Sequence, residues 1–564
     1  MRLSGAAHSA GQDMCVSDNT IPVLISGGGP VGLVLSIELA ARGVPSIVVN
    51  TEPTTALHPQ GNTHNCRTME HYRRHGIADR VRRVGLPADA ATDISYLTRF
   101  TGHEFARIPM PSSAEKQRRI AARDMSFLTP EPVHRSSQFY VEPELFAHAQ
   151  TLDEIDLRFG WKLIDFTQYA DRVESTIRHF ETGEVETIVS RWLAGCDGAQ
   201  GHTRRALDIP YRGEGGDEVA FFIGKMLSVY IDAPQIYDVM KVAPAWQYWT
   251  VNSNARTCIV TLDAKGKFVV LSRYPESGEP DEADIIRDIQ DAIGADIDID
   301  VLSIRPWTAG NALVTDRYGD GRVLLAGDAV HLFTPTGGFG MNTGVEDAVN
   351  LGWKLAAVHH GWAPEALLET YEGERRPIGI RNTQSSRRLA SDVATIQVPQ
   401  ELEEETEAGE RARADLGRHL SEFTEEFASL GIQLGARYDG SPLIVADGTT
   451  PPPDSPVTYV PTACPGGRAP HLWLDDGASI HDRFGKWFTL VKFGAPATDT
   501  ASFEAAAAAL DLPLDIVDIR EPAARELYEC RFALIRPDHH VAWRGNALPA
   551  DADLLLRQVS GNTL

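Results

Sequence analysis

Cysteine is scarce in this chain: six in 564 residues (Cys15, Cys66, Cys196, Cys258, Cys464, Cys530), with no CxxC pair. That argues against a zinc module, a dithiol redox pair and a disulfide-built scaffold, and it suits a reducing, cytoplasmic setting. Positive charge is also short. Lys and Arg number 53 against 78 Asp and Glu, a net charge of −25, so the basic footprint of a nucleic-acid binder is missing. No run of about 18 uncharged apolar residues occurs; the best candidate is broken by Glu38 and Arg42, and no membrane partner is expected. Residues 1–19 carry one Arg and no apolar centre, and read as a mobile tail rather than a signal peptide. No internal repeat is visible. What remains is ordinary globular composition, 43% hydrophobic and 23% charged, enough for about three to five domains at ~100–200 residues each.

The most informative stretch comes early. Pro22–Ser26 (PVLIS) is a short apolar run of the kind found in buried parallel strands. GGGPVG follows at 27–32 and fits GxGxxG through Gly27, Gly29 and Gly32; LVLSIELAAR (33–42) then has helical spacing and stops at Gly43, and PSIVVN (45–50) is a second apolar run. Strand, glycine turn, helix and strand within about thirty residues is the context in which the fingerprint carries weight. One glycine permits the tight turn, one lets backbone approach a pyrophosphate, and one lets the helix pack on the strand. The helix start supplies free N–H groups and the positive end of a dipole. The second strand ends at Asn50, where an acid would grip a ribose diol; Asn can bond the diol without charge, and Glu52 is the alternative.

Two further segments shift the reading. AGCDGAQGHTRR (194–205) follows an apolar strand, and RVLLAGDAVHLFTPTGGFGMNTGVEDAVNLGWKL spans 322–355. In the second, a buried strand delivers Asp328 at its end, ahead of a turn rich in proline and glycine and then a helix. Asp328 can accept a sugar or ribityl hydroxyl, and N–H groups near Gly340, Met341 and Asn342 can stabilise negative charge on a ring.

Taken together and in this order, these motifs resemble the class A flavoprotein monooxygenases, the para-hydroxybenzoate and phenol hydroxylase family, with its GxGxxG, DG and GD segments. The fixed positions of the GD motif are present through Asn342, Asp347, Ala348, Asn350, Leu351 and Trp353–Leu355, and TYEGERRP (370–377) also fits. HLWL (471–474) and IRPDHHVAWR (535–544) resemble the branch with a C-terminal thioredoxin-like domain, here without CxxC and therefore redox-inert. The resemblance implies an α/β chain: a Rossmann-type FAD-binding domain interleaved with a mixed β-sheet substrate domain, plus the thioredoxin-like domain. The expected organisation is a tail at 1–19, the first FAD-binding part at 20–210 with a substrate-side insertion near 91–125, and the substrate sheet at 211–306. The second FAD-binding part follows at 307–400, a helical connector at 401–450 and the thioredoxin-like domain at 451–564.

Carried over by motif, Gly27, Gly29 and Gly32 cradle the FAD pyrophosphate, Asn50 meets the adenosine ribose, and Arg67 reaches the pyrophosphate side. Gln138 contacts the ribityl or flavin region, Asp328 takes ribityl hydroxyls, and Gly340, Met341 and Asn342 face the isoalloxazine. Asp197 of the DG motif is tied to FAD and to the nicotinamide cofactor. The chain departs from the family at Gln60, where Arg is common, at Asn50, at Asn62, where some phenol hydroxylases have His, and at Gly201, where Ser is usual.

The implied activity is hydroxylation of a phenolic or polycyclic aromatic substrate by FAD, with NAD(P)H as transient co-substrate and O2 activated as a flavin C4a-hydroperoxide. A small aromatic partner and a homodimer are the expected associations. A phenol resembles tyrosine, with a pKa of about 10, so at pH 7 roughly one part in a thousand is ionised; closing that gap of ~3 units corresponds to about 4 kcal/mol. A base or strong hydrogen bond on the substrate oxygen is therefore expected, with Tyr248, Asp217, Tyr230 and His64 as candidates. Phe221, Phe222, Trp246, Tyr248 and Trp249 are candidates for an apolar pocket, and ordinary core is the alternative for them. Two other functions stay open: a Baeyer–Villiger or epoxidising oxygenase, and a non-catalytic flavin-bound sequestration protein.

Overall fold

Ile21–Ser26 and Ser46–Asn50 lie side by side as parallel strands because the helix Pro30–Ala40 between them buries almost every residue on one sheet face. The structure, a computed structural model, describes residues 20–124, 126–215, 224–254, 256–274, 281–421, 425–494 and 498–564. The tail, Asp217, Phe221 and Phe222 lie outside these described residues.

The first sheet runs, edge to edge, through Gly319–Asp320, Val323–Leu325, Val185–Gly195, Ile21–Ser26, Ser46–Asn50 and Ile155–Phe159. From Val323–Leu325 to Ile155–Phe159 every pairing is parallel, the doubly wound arrangement that puts loops at one edge. The GxGxxG, DG and GD turns follow three adjacent strands of this sheet, so segments 27–32, 196–203 and 327–344 meet at its carboxyl edge.

The second sheet has seven strands in the order Asp300–Ala309, Gly224–Asp232, Lys267–Arg273, Arg256–Thr261, Gln247–Val251, Ile94–Leu97 and Glu104–Ile108. All pairings are antiparallel except Gln247–Val251 with Ile94–Leu97. Alternation gives it two buried faces. One carries Leu227, Val229, Tyr248, Ile259 and Val270 under the helix Glu282–Ile293. The other carries Tyr96, Met226, Trp249, Cys258 and Val260 and meets Val393, Leu416, Leu420 and Phe427.

The C-terminal unit is thioredoxin-like. Phe488–Phe493 pairs parallel with Leu514–Ile519 and antiparallel with Phe532–Ile535, which pairs with Val541–Gly545, and helices Ala501–Ala509, Pro522–Tyr528 and Ala552–Val559 complete it. Within HLWL (471–474), Trp473 makes only an isolated bridge to Ser479; the turn around Asp475–Gly477 follows. The unit joins the rest through buried charge: Arg536 reaches Glu374, Arg468 reaches Glu70, and the Asp538 carbonyl accepts from Arg67.

Candidate functional site

The glycine turn is built by close approach on two sides and left open on a third. A Cβ at Gly27 would lie 2.2 Å from the Cys196 carbonyl oxygen, and one at Gly32 would lie 1.9 Å from the Gly27 oxygen. Gly27 also has φ +111°, where only glycine is at ease. A Cβ at Gly29, by contrast, would meet nothing within 4 Å. The helix Pro30–Ala40 begins there with no side-chain cap, so its first N–H groups face that open side. The helix Gly340–His359 also starts without a side-chain cap, after Gly337 and Gly338 at φ +79° and +65°. The two helices pack tightly: a Cβ at Gly344 would sit 2.7 Å from Val31 and 3.0 Å from Gly327.

The acids beside this cradle are poised for a ligand. Asp197 Oδ2 accepts from the Thr203 amide at 2.9 Å and the Thr203 hydroxyl at 2.7 Å, while Oδ1 is buried without a partner. Gly201 packs directly against it: a Cβ there would meet Asp197 Oδ1 at 2.0 Å, so a larger residue would displace the Asp197 side chain. The Asp328 side chain opens to solvent, and among the described residues nothing donates to its carboxylate. Surrounding protein displaces enough water to raise its pKa, with His331 pulling the other way. The Tyr211 hydroxyl holds the Asp328 carbonyl, and Asp347 accepts from the Gly327 amide at 3.2 Å, His331 at 2.8 Å and Arg375 at 2.8 Å. Open space at Gly29, an orphaned oxygen at Asp197, a free carboxylate at Asp328 and two uncapped helix starts fit a long ligand with a pyrophosphate and a polyol, which is the shape of FAD.

Other predicted contacts are engaged with protein. Asn50 Oδ1 accepts from the Gly28 amide at 3.1 Å and its Nδ2 donates to the Glu52 carbonyl at 3.0 Å, so it ties the glycine turn to the strand. Arg67 is buried and bonds Glu70 at 2.9 Å and the Asp538 carbonyl. Asn342 bonds the Asn65 amide and the carbonyls of Thr63 and Gly338, at 2.9, 2.9 and 2.6 Å; this fixes segment 63–65 against the turn. Met341 is half-buried against the main core. Gln138 opens the helix Gln138–Ala149 and borders Gly61, its amide donating to the Gly61 carbonyl at 2.8 Å.

The proton-accepting candidates separate. Tyr248 lies on the sheet face away from the cradle, with its ring 4.7 Å from Phe100 and its hydroxyl accepting from the Ala245 amide at 2.7 Å. Strand parity sends Trp249, not Tyr248, toward the cradle side. His64 is adjacent to the cradle, bridged backbone to backbone with His134, and burial drives its ring pKa down to about 3, so it is neutral at pH 7. Tyr230 shares its face with Met226 and has its pKa raised by burial.

Three residues not weighed from sequence lie beside the second sheet. His58 donates or accepts at Ser303 (2.7 Å) and Ser228 (2.9 Å), latching loop 51–63 to the second sheet. Arg135 lies 4.4 Å over the Trp246 ring, and Glu426 is buried near it. Nothing in the run EEF at 425–427 set Glu426 apart from the acid beside it.

The profile of the FAD binding domain matches residues 20–386, and that of the aromatic-ring hydroxylase C-terminal region matches 462–562. The chain is 32% identical to the FAD-dependent monooxygenase apdD of Emericella nidulans, over 96% of this chain and 90% of that one. It is 29% identical to the 2,4-dichlorophenol 6-monooxygenase of Cupriavidus pinatubonensis, over 94% of each. Among solved structures, the rebeccamycin biosynthetic enzyme RebC with reduced flavin superposes with a TM-score of 0.86 at 35% identity, covering 96% of this chain and 99% of that one.

Proposed function

The chain belongs to the class A flavoprotein monooxygenases, and from that footing we propose that it hydroxylates a phenolic or polycyclic aromatic substrate with FAD, NAD(P)H and O2. The observation that carries the reading is the cradle itself: an open glycine turn, the unpartnered Asp197 oxygen and the free Asp328 carboxylate converge opposite a sheet face bearing Tyr96, Trp246 and Trp249. The turn at Gly27–Gly32 with the first N–H groups of its helix would hold the pyrophosphate, and Asp328 would hold the ribityl hydroxyls. Asp197 would order the DG loop beside them, and the uncapped start of Gly340–His359 would face the ring system. When bound, FAD supplies the redox chemistry, hydride acceptance and O2 activation.

The chain's own work is positioning and dryness. Tyr96 and Trp249, their rings 6.2 Å apart and nearly parallel, offer a flat apolar wall for a flat ring. His58 and Asn342 hold the loops between wall and cradle, limiting the water that wastes activated oxygen as peroxide. We assign the reaction to the cytoplasm, where NAD(P)H is available and the five described cysteines, none in a disulfide, stay reduced. No helix among the described residues is long and apolar enough to cross a membrane.

The test is to purify the protein, record its visible spectrum and screen phenols for stimulated NAD(P)H oxidation. A flavin spectrum and a product gaining one oxygen on the ring are expected. A colourless protein that stays so after FAD is offered would refute the cofactor site, and a lactone or epoxide product would refute ring hydroxylation.

A further inference from the structure

One buried acid lies against the aromatic sheet face and is not used by the cradle. Glu426, on the one-turn helix Glu425–Ala428, is 8% exposed, and its Oε2 has no hydrogen-bond partner. Its carboxyl lies within electrostatic reach of the Arg135 guanidinium, the Gly337 amide, Tyr96 and Cys258. Tyr96 and Cys258 sit on the strands either side of Trp249 and pair with it directly. Gly337 belongs to the glycine turn after Asp328. The carboxyl therefore lies near both the aromatic face and that turn.

The short helix is held in place. The Phe427 side chain is buried in the core, and its carbonyl accepts from Arg135 Nη2 at 3.3 Å. Arg135 Nη1 donates to Thr63 Oγ1 at 2.5 Å, and the guanidinium stacks on Trp246. A carboxyl buried for structure alone is normally bonded at both oxygens or paired. Among the described residues Glu426 makes no ion pair, and burial pushes its pKa up to about 7, with Arg135 and the Gly337 amide pulling down.

We propose that Glu426 takes the hydroxyl proton of a phenolic substrate lying on the Tyr96–Trp249 wall, with Arg135 fixing its helix and supplying positive charge beside the oxyanion. This rests on the hydroxylase reading and names its proton acceptor, and hence a substrate carrying an ionisable ring hydroxyl. The substrate O–H bond breaks, its proton goes to Oε2, and the electron pair stays on the phenol oxygen to enrich the ring. O2 is the oxidant and NAD(P)H the reductant. After one oxygen atom joins the ring, the ring carbon loses its proton to solvent and the substrate oxygen recovers its proton from Glu426. The carboxylate ends as it began, and the second oxygen atom leaves as water.

The test uses holoenzyme with 2,4-dichlorophenol, 2-naphthol and 1-hydroxyanthraquinone. If none stimulates NAD(P)H oxidation by the parent, the hydroxylase reading fails and this proposal falls with it. With an active phenol, E426Q should keep its FAD content and visible spectrum. It should bind the phenol without the phenolate absorbance that the parent develops within about one unit of pH 7, and lose about 10²-fold or more in hydroxylation. E426D should retain a titrating limb, displaced in pH. Parent-like phenolate absorbance and turnover within threefold in E426Q would overturn the proposal and leave the hydroxylase reading standing. Should E426Q fail to fold, E426D decides: a displaced limb supports the assignment, and an unchanged limb refutes it.

Discussion

Replacing Arg536 with Met removes a cation that serves two buried acids at once. Arg536 is fully buried; it donates to Glu374 at 2.6 and 2.8 Å and to Asp538 at 3.2 and 2.7 Å, between the rings of Trp353 and Tyr438. Methionine fills much of the volume, so the cost is stranded charge rather than a cavity. Glu374 keeps Lys354 at 2.7 Å as its one cation, with the Asn350 amide and the Ser441 hydroxyl, and Asp538 keeps His540 and Asn350. Breaking such a buried pair from one side costs ~3–5 kcal/mol, against a native margin of about 5–15 kcal/mol. The pH dependence is specific. Burial raises both acids, but Arg536 together with Lys354 at Glu374 and His540 at Asp538 outweighs it, holding Glu374 below its ordinary 4.5 and Asp538 well below 3.8. A carboxyl whose folded pKa is depressed stabilises above its unfolded pKa, and the gain drains away as pH falls through the folded value. The gap between parent and R536M should therefore be full at pH 7 and shrink below about pH 4.5. Urea unfolding of both proteins across this range reads it. A gap under 1 kcal/mol at pH 7, or one equally large in acid, would refute the reasoning. R536M/D538N should recover part of the loss.

Gly29→Val should fold as the parent does, because its Cβ meets nothing, yet bind FAD at least tenfold more weakly; Gly32→Ala, whose Cβ runs into the Gly27 carbonyl, should lose both fold and flavin. Circular dichroism with FAD titration separates the two, and parent-like affinity in G29V would place the pyrophosphate elsewhere. Asp328→Ala should raise the FAD dissociation constant by about 10–100-fold, the worth of ~1.5–3 kcal/mol for a charged hydrogen bond, with apoprotein stability unchanged. Retained affinity would remove Asp328 from the site. His58→Ala strands the Ser228 and Ser303 hydroxyls and frees loop 51–63, so more peroxide per NAD(P)H is expected. Burial, helped by Arg305, lowers the His58 pKa to about 4, so its contribution to stability is whole above about pH 6.5 and falls away toward pH 4.

Features set by short-range geometry were legible in the sequence. Glycine spacing shows at Gly27, Gly29 and Gly32 because Gly27 and Gly32 answer contacts within one turn or with the adjoining strand, while Gly29 keeps one side of the turn open. The GD segment was legible for the same reason, since Asp328 and the start of Gly340–His359 are twelve residues apart. Strand parity in the second sheet was not legible at Tyr248: WQYWTV offers aromatics on both faces, and only the position of Glu282–Ile293 decides which face is inner core. Arg67 matched a motif, but its direction is set by Asp538, 471 residues away. Glu426 was hidden by the same kind of distance. Its meaning comes from Tyr96, Arg135 and Cys258, brought beside it by the sheet, while locally it looked like one more acid in an acidic connector.

The same long-range charge explains why a thioredoxin-like unit without CxxC belongs to this fold. Its Arg536 grips Glu374 on the helix Glu369–Ala394. The next residue on that helix, Arg375, holds Asp347, and Asp347 accepts from His331 and from the Gly327 amide beside Asp328. Four buried polar contacts thus run from the C-terminal unit to the turn that presents Asp328, with no exposed group among Arg536, Glu374, Arg375, Asp347 and His331. Buried charges in contact tolerate few alternative arrangements, because each displacement strands a partner. A brace of this kind sets the angle of the Gly327 turn without taking part in redox chemistry, and it predicts that R536M weakens FAD binding at pH 7 along with the fold, whereas a charge removed from the exposed Asp553–Arg557 pair of the same unit leaves FAD affinity untouched.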